Sequence, residues 1–277
     1  NQKKIINIHK RNLDFYEKNL ESSLNFYLKQ KRLEITYKKN EVYAEIYIIC
    51  VGSDLSNNRI NNKNLIEIAK LLSKKIKKND LVILRGTVQV GGARNIFLKS
   101  LTNNTSLVCG KDFYFSYMPE RHIVGNALEE TEKIPQLVSG YSKNCLDRAT
   151  NYVKKIFNNF IELKSIEEGE LIKLLSNSYR DLIFSFSNEI ARIANKFDLS
   201  GSEVIEKANY GYERNNIAKP SPGVGGFCLP KDPILFEKLV KGGKGYSMGK
   251  LSRKINYDAM RFTFNRLIKL LKKNKGN

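Results

Sequence analysis

The sequence predicts an α/β protein, with a parallel-sheet domain over residues 1–162 and an all-helical domain over residues 163–277 built on one long helix. Three observations carry this. Short apolar runs that end at glycine or proline alternate with segments of helical periodicity in the first half. A single amphipathic run from about Ser165 to Phe197 opens the second half. Beyond it, only further helical segments and one glycine-rich stretch remain.

Along the chain, Leu13, Tyr16, Leu20, Leu24, Tyr27 and Leu28 have helical spacing and predict a helix over 13–28. Ile46–Val51 is an apolar run that stops at Gly52, as a buried parallel strand does. Asn64 to Lys77 is again helical, with Leu65, Ile68, Ala69, Leu72 and Ile76 on one face. Leu81–Leu84 forms the next strand, the Gly91-Gly92 turn follows, and Asp112–Ser116 is a third strand ending at Met118-Pro-Glu-Arg121. Such alternation places helices on a parallel sheet and ligands at the carboxyl ends of its strands.

Ser165-Ile-Glu-Glu168 reads as a capping box for the long helix. Its apolar positions include Leu171, Leu174, Leu175, Tyr179, Leu182, Ile183, Phe186, Ile190, Ile193 and Ala194, a stripe wide enough to pack on two sides. That predicts a central or intersubunit helix. Shorter helices are expected at 201–208, 233–240 and 249–272, with Lys241-Gly-Gly-Lys-Gly245 as a flexible loop.

Composition excludes several classes. Four scattered cysteines and only two histidines argue against a zinc site or a disulfide framework, so no metal is expected and a reducing compartment fits. No signal core or membrane-length apolar run occurs, which predicts a cytoplasmic protein without a membrane partner. The net charge of +20 raises nucleic acid as a partner, but the lysines are spread end to end without a basic stripe or aromatic interleaving. The expectation is no nucleic acid, and a field that would also draw an anionic small substrate.

The segment Ser221-Pro-Gly-Val-Gly-Gly-Phe-Cys-Leu-Pro-Lys-Asp-Pro233 puts Cys228 after Gly223, Gly225 and Gly226 and before a predicted helix start. Asp232 reads as N-cap and Pro233 as the first helical residue. A thiol there would feel the positive helix end and Lys231, both favouring the nucleophilic thiolate. The same residues also describe a glycine-rich turn with a small buried cysteine.

Four motifs in order resemble the UDP-glucose/GDP-mannose dehydrogenase family of nucleotide-sugar 6-dehydrogenases. They are Thr87-Val-Gln-Val-Gly91, Pro119-Glu120, Glu170-Leu-Ile-Lys173-Leu-Leu-Ser-Asn177, and Gly225-Gly-Phe-Cys228-Leu-Pro-Lys-Asp232. The resemblance implies a Rossmann-like first domain, NAD as cofactor and a UDP-sugar as substrate. It also implies a homodimer formed through the helix over 165–197, working in surface polysaccharide precursor synthesis. Cys228 matches the nucleophile, which forms a thiohemiacetal and then a thioester. Lys173 and Asn177, four apart on one helix face, match the oxyanion-stabilising pair; by themselves they read as a solvated lysine and a surface amide.

Asp232 matches a carboxylate that assists proton transfer, a role compatible with a plain N-cap. Glu120 matches an acid that contacts substrate and transfers protons, and Thr87 a residue touching cofactor and catalytic water. Val51, Gly52, Ser53 and Lys231 fall where the family holds NAD. Arg121, Arg214, Gly225 and Gly226 fall with Glu120, Lys173 and Asn177 at the substrate; Arg214 alone reads equally as a surface charge.

Departures matter too. There is no Gly-x-Gly-x-x-Gly followed by an acidic ribose ligand, Ser53-Asp54 replaces the usual Thr-Pro, and Phe227 precedes the cysteine. Val124 stands where the glucose-oxidising branch carries a second acid, and Pro119–Glu130 looks more like the UDP-N-acetylhexosamine branch. The chain is therefore expected to be the middle of a family member, without its first strand and glycine turn and without the C-terminal nucleotide-sugar domain. Alternatives are a non-catalytic remnant that keeps the helical dimerisation part, and a UDP-glucose 6-dehydrogenase.

Because the glycine turn lets a pyrophosphate rest on a helix N-terminus, the 277-residue chain alone is expected to bind NAD weakly and release no NADH. Calorimetric titration with NAD, and absorbance assays with UDP-N-acetylmannosamine and UDP-glucose, check this. Micromolar affinity or sustained NADH release would contradict it.

Overall fold

In a computed structural model, residues 2–10, 13, 15–38, 42–56, 59–239 and 247–274 are described. Helices α1 (Gln2–His9) and α2 (Leu20–Lys29) come first, then strand β1 (Ile46–Ile49), the hairpin β2 (Asp54–Ser56) and β3 (Arg59–Asn61), and α3 (Lys63–Leu72). Strand β4 (Leu81–Leu84), a π-helical segment (Ala93–Leu98), α4 (Lys99–Thr102), β5 (Tyr114–Tyr117), α5 (Ala127–Lys133), β6 (Gln136–Gly140), α6 (Lys143–Val153) and β7 (Phe160–Glu162) follow. The remainder is helical: α7 (Ile166–Ala194) with a terminal 3₁₀ turn, α8 (Gly201–Asn209), α9 (Asp232–Glu237) and α10 (Met248–Asn274).

The chain forms two compact units. The first contains Asn1–Gly52, Lys63–Thr87 and Gly91–Gly169; the second contains Ser53–Asn62, Val88–Val90 and Glu170–Asn277. The second unit thus carries the β2–β3 hairpin beside its helices.

In the first unit the sheet order is β1-β4-β5-β6-β7. The β1–β4, β4–β5 and β6–β7 pairings are parallel, and β5–β6 is antiparallel. Every residue of β4 is buried, as a central parallel strand covered on both faces requires. On one face Leu81 and Ile83 pack with Met118, Val138, Ala149 and Val153. Val82 pairs in register with Phe115, whose ring stacks on Phe97 of the π-helical segment.

Several sequence expectations shift. Leu13 and residues 15–19 are not helical, and α2 starts only at Leu20. Asn19 ahead of it takes a left-handed conformation (φ 63), which stops the helix from extending backward. Glu17 is used elsewhere: its carboxylate accepts from the Gly125 N–H at 2.7 Å. Helix α3 ends at Leu72, where Lys75 N–H bonds back to the Leu72 carbonyl and the chain turns toward β4. The third strand is displaced to Tyr114–Tyr117, because Asp112 closes a turn by accepting from Val108 N–H at 2.9 Å. Strands β6 and β7 and helix α6 are additions to the sequence reading. Val240 and the loop 241–245 lie outside the described residues.

At the carboxyl ends of β1 and β4 the backbones nearly touch. A Cβ on Gly52 would lie 2.3 Å from the Thr87 carbonyl oxygen, and one on Gly86 would lie 2.1 Å from that of Val51. Glycine is therefore required at both positions by close approach rather than by backbone angle. Helix α7 is capped as expected in part: Ser165 Oγ accepts from Glu168 N–H at 3.1 Å. The Glu168 carboxylate reaches Lys164 N–H at 2.7 Å, one residue before the position a capping box prescribes.

Candidate active site

In the second unit the glycine-rich segment runs into α9 through Cys228. The Cys228 carbonyl accepts the N–H groups of Lys231 (3.0 Å) and Asp232 (2.9 Å), so the turn carrying the thiol is fastened to the helix start. Cys228 is exposed, which removes the buried-cysteine reading. Asp232 is not the N-cap. It is the first residue of α9, Lys231 occupies the cap position without a side-chain cap bond, and the Asp232 side chain is turned inward and fully buried.

Asn177 is buried too, so the surface-amide reading fails for it. Its Nδ2 donates to Asp232 Oδ2, and its Oδ1 accepts from the Arg180 guanidinium. The other oxygen, Asp232 Oδ1, accepts no hydrogen bond from any described residue. Burial pushes the Asp232 carboxyl above the usual carboxylate range. The Asn177 hydrogen bond and the charges of Lys231, Lys173 and Arg180 pull the other way without cancelling it. Lys173 is half-buried, one turn before Asn177 on α7, and its charge is felt at Asp232.

Lys231 is buried and joins a predicted cofactor residue to a predicted catalytic one: its Nζ donates to the Ser53 carbonyl at 2.8 Å and lies 3.9 Å from Asp232 Oδ1. The Ser53 hydroxyl sits 2.7 Å from Asn62 Oδ1 and 2.8 Å from Gln89 Oε1. Gly225 and Gly226 are exposed, and a Cβ on either would meet open space. Gly226 nevertheless needs its lack of a side chain, with φ at +87. Arg214 is exposed and lies over the Tyr212 ring, 4.6 Å from its centre, apart from this chain of bonds.

In the first unit Val51, Gly52 and Thr87 meet at the close approach of the β1 and β4 ends. Glu120 follows β5 and is half exposed. Its carboxylate accepts from Arg85, from the N–H groups of Arg121 (2.8 Å) and His122 (2.9 Å), and contacts the His122 ring. Burial would raise its pKa, but Arg85 and His122 outweigh that and hold it below the ordinary carboxylate range. A carboxyl held ionised in this way accepts hydrogen bonds rather than giving them, and is a weak proton acceptor. The Arg121 guanidinium donates to the Pro135 carbonyl.

Sequence reasoning missed Arg180, Arg85, His122, Asn62 and Gln89. Arg180 was the most accessible of them, since it lies three residues after Asn177 and shares its helix face. The others meet their partners only through the fold.

With this geometry in view, residues 1–161 match the NAD binding domain of the UDP-glucose/GDP-mannose dehydrogenase family and residues 167–258 match its central domain. The chain belongs to that family. It is 28% identical over 262 residues to a UDP-N-acetyl-D-mannosamine dehydrogenase of Pyrococcus horikoshii, covering 93% of this chain and 61% of that protein. A UDP-N-acetyl-D-mannosamine dehydrogenase of Campylobacter jejuni is 28% identical over 280 residues, covering 98% of this chain and 68% of that one. Among solved structures, a UDP-D-ManNAc dehydrogenase from Pyrococcus horikoshii superposes with a TM-score of 0.90 at 27% identity, covering 99% of this chain and 65% of that one. The chain thus spans about six-tenths of the length of the first of these curated relatives.

The two carboxylates should respond to pH with opposite signs. Glu120 has a lowered pKa, so it stabilises the fold above its unfolded value of about 4.3, and this is lost as pH falls through the folded value. Glu120→Gln should therefore lower stability near neutral pH, with the gap closing in acid. Asp232 has a raised pKa, so its ionisation opposes folding above the folded value and not below about 3.9. Asp232→Asn should raise stability near neutral pH, again with a gap that closes in acid. Urea denaturation across pH checks both signs.

Proposed function

We propose that the protein oxidises the C6 alcohol of a UDP-sugar, of the UDP-N-acetylmannosamine kind, to the carboxylate in two NAD-dependent steps through Cys228. The observation that carries this is the juxtaposition at the start of α9. An exposed thiol sits on the turn that leads into a buried carboxylate, and that carboxylate has one oxygen bonded to Asn177 and the other accepting from no described residue.

Val51, Gly52 and Thr87 at strand carboxyl ends, with Ser53 and Lys231, are the residues that would hold NAD. The position suits a dinucleotide in a sheet of this type. Lys231 spends one of its three donor hydrogens on the Ser53 carbonyl, which leaves donor capacity for an anionic or carbonyl group. NAD, when bound, supplies the hydride acceptor for each two-electron step.

The chain's own residues do the rest. The Cys228 thiolate adds to the aldehyde carbonyl, and the developing oxyanion is met by the Lys173 ammonium and by the Asn177 amide hydrogen that is not bonded to Asp232. Once the adduct is oxidised to a thioester, water adds to its carbonyl, a proton passes to Asp232, and the Cys228 thiolate leaves. A buried carboxylate with a raised pKa and an unsatisfied oxygen suits a proton acceptor of this kind. Glu120 and Arg121 serve the substrate as contacts, with Glu120 ionised, and Arg214 as a loop cation. The N-acetylated sugar is favoured by the relatives' names and by Val124 in place of a second acid.

The same reading includes a homodimer through α7. Leu171, Leu175, Tyr179, Phe186 and Ile193 form one exposed apolar stripe, whereas the buried face of the helix carries Asn177, Ser178, Asp181, Ser185 and Asn188. An exposed stripe this long on one helix marks an interface.

In the protein expressed from its complete reading frame, Cys228→Ser should abolish acid formation, because an alkoxide is far harder to generate at neutral pH than a thiolate. Unchanged acid production from UDP-N-acetylmannosamine by that variant would rule out the role, and acid from UDP-glucose alone would move the substrate to the glucose branch. Phe186→Glu should give monomers or insoluble protein in sedimentation, and an unperturbed dimer would count against the α7 interface.

A further inference from the structure

We propose that Arg253 and Asn188 are positioning residues for Cys228, which fasten the glycine-rich approach to the thiol onto α10 and α7. The proposal rests on Cys228 being the nucleophile. At the start of the approach, the buried Asn188 accepts the Ser221 N–H on Oδ1 at 2.7 Å. Three residues on, Arg253 Nη2 donates to the Val224 carbonyl at 3.2 Å. Between these anchors the chain lies against α10. Gly223 takes φ +143, and a Cβ there would come within 3.2 Å of the Asn256 carbonyl oxygen and 3.1 Å of Met260 Cβ.

The anchors are themselves fixed. Arg253 Nη1 pairs with Oδ1 of the fully buried Asp181. Asp181 also accepts from Ser252 Oγ at 2.7 Å and from Asn256 Nδ2 at 2.8 Å. Asn256 Oδ1 in turn accepts from Asn188 Nδ2 at 2.9 Å, which closes the network back onto the first anchor. These side chains lie on two helices and hold one loop, so neither anchor can shift without breaking the other's partners.

Only Gly225, Gly226 and Phe227 separate the Val224 carbonyl from the Cys228 carbonyl, which is fastened to α9. The two glycines have open space around them and little stiffness of their own. The placement of the thiol is therefore set by the fixed ends of this span. Attack on a carbonyl needs reacting atoms held near contact distance, and a misplacement of about 1 Å from remote changes can cost on the order of a hundredfold in rate.

The test compares Arg253→Ala, Arg253→Lys and Asn188→Ala with wild type in the protein expressed from its complete reading frame. Hydrogen exchange of the peptide covering 221–228 is measured beside kcat and KM for acid formation. In Arg253→Ala and Asn188→Ala, exchange across 221–228 is expected to rise about fivefold. kcat should fall roughly tenfold while KM for NAD stays within about twofold, the pattern of a lost transition-state geometry. Arg253→Lys, which cannot bridge Asp181 and Val224 with a planar fork, should recover only part of kcat. If Arg253→Ala does not fold, Asn188→Ala and Arg253→Lys decide by the same readouts. Unchanged exchange, or raised exchange with unchanged kcat, would overturn the proposal. Acid formation by Cys228→Ser would instead overturn the nucleophile on which it rests.

Discussion

The second unit depends on how Asp232 is buried. A carboxylate with no exposure is costly unless its oxygens are met by donors, and here Asn177 meets only one of them. The Asn177–Asp232 bond ties α9 to α7. The Cys228 carbonyl, bonded to the N–H groups of Lys231 and Asp232, extends that tie to the thiol. Arg180, donating to Asn177 Oδ1, fixes which way the amide points and so keeps its Nδ2 on the carboxylate. A fold selected only for stability would carry an asparagine or an apolar residue at position 232. The retained acid, its pKa raised by burial, is the kind of group that proton-transfer sites keep at a cost in stability.

The same economy of polar groups organises α7. A helix of a globular protein usually turns its apolar stripe inward. This one buries Asn177, Asp181, Ser185 and Asn188 and exposes Leu171, Leu175, Tyr179, Phe186 and Ile193. Most of the buried groups are paired: Asp181 is met by Arg253, Ser252 and Asn256, and Asn188 by Asn256 and Ser221, while Ser178 Oγ meets no partner among the described residues. Their hydrogen bonds have direction, so they specify how α7, α10 and the glycine loop are registered. An apolar face would leave that register looser.

Much of this could be read from the sequence, and the failures have physical causes. Strand β4 was legible because Leu81–Leu84 is apolar throughout, which is the pattern of burial on both faces. Strand β6 was not, because its buried Ser139 and Gln136 look like loop residues. Their polar groups are satisfied inside: Ser139 Oγ donates to the Tyr117 carbonyl, and Gln136 Nε2 to the Leu137 carbonyl. The early helix was placed too long because Leu13 and Tyr16 keep helical spacing, while the left-handed Asn19 and the use of Glu17 by Gly125 depend on the fold. Within the site, Cys228, Lys231 and Asp232 stood out through their glycine and proline context. Asp232 was misread as a cap because Asp-Pro is a common way to open a helix, and nothing local tells that its side chain points inward. Arg253 and Asn188 have partners 29 or more residues away, so only the fold shows what they hold.

The polar interior of α7 also bears on what stabilises the second unit. Hydrogen bonds between buried groups contribute little net free energy, on the order of 1 kcal/mol each, because water supplies equivalent bonds in the unfolded chain. Burial of a large apolar side chain contributes more, about 1.5–3 kcal/mol. On α7 Ile166 and Leu174 are buried, but Leu171, Leu175, Tyr179, Phe186 and Ile193 lie outside, where the single chain leaves them in water. The inner network therefore defines geometry, and the outer stripe holds most of the unused hydrophobic free energy of the helix. If the stripe is covered by a second copy, folding of this unit and association become one equilibrium, and apparent stability rises with protein concentration. The placement of Cys228 is tied to the same helix through Asn177 and Asn188, so the geometry of the site is then stabilised by assembly as well.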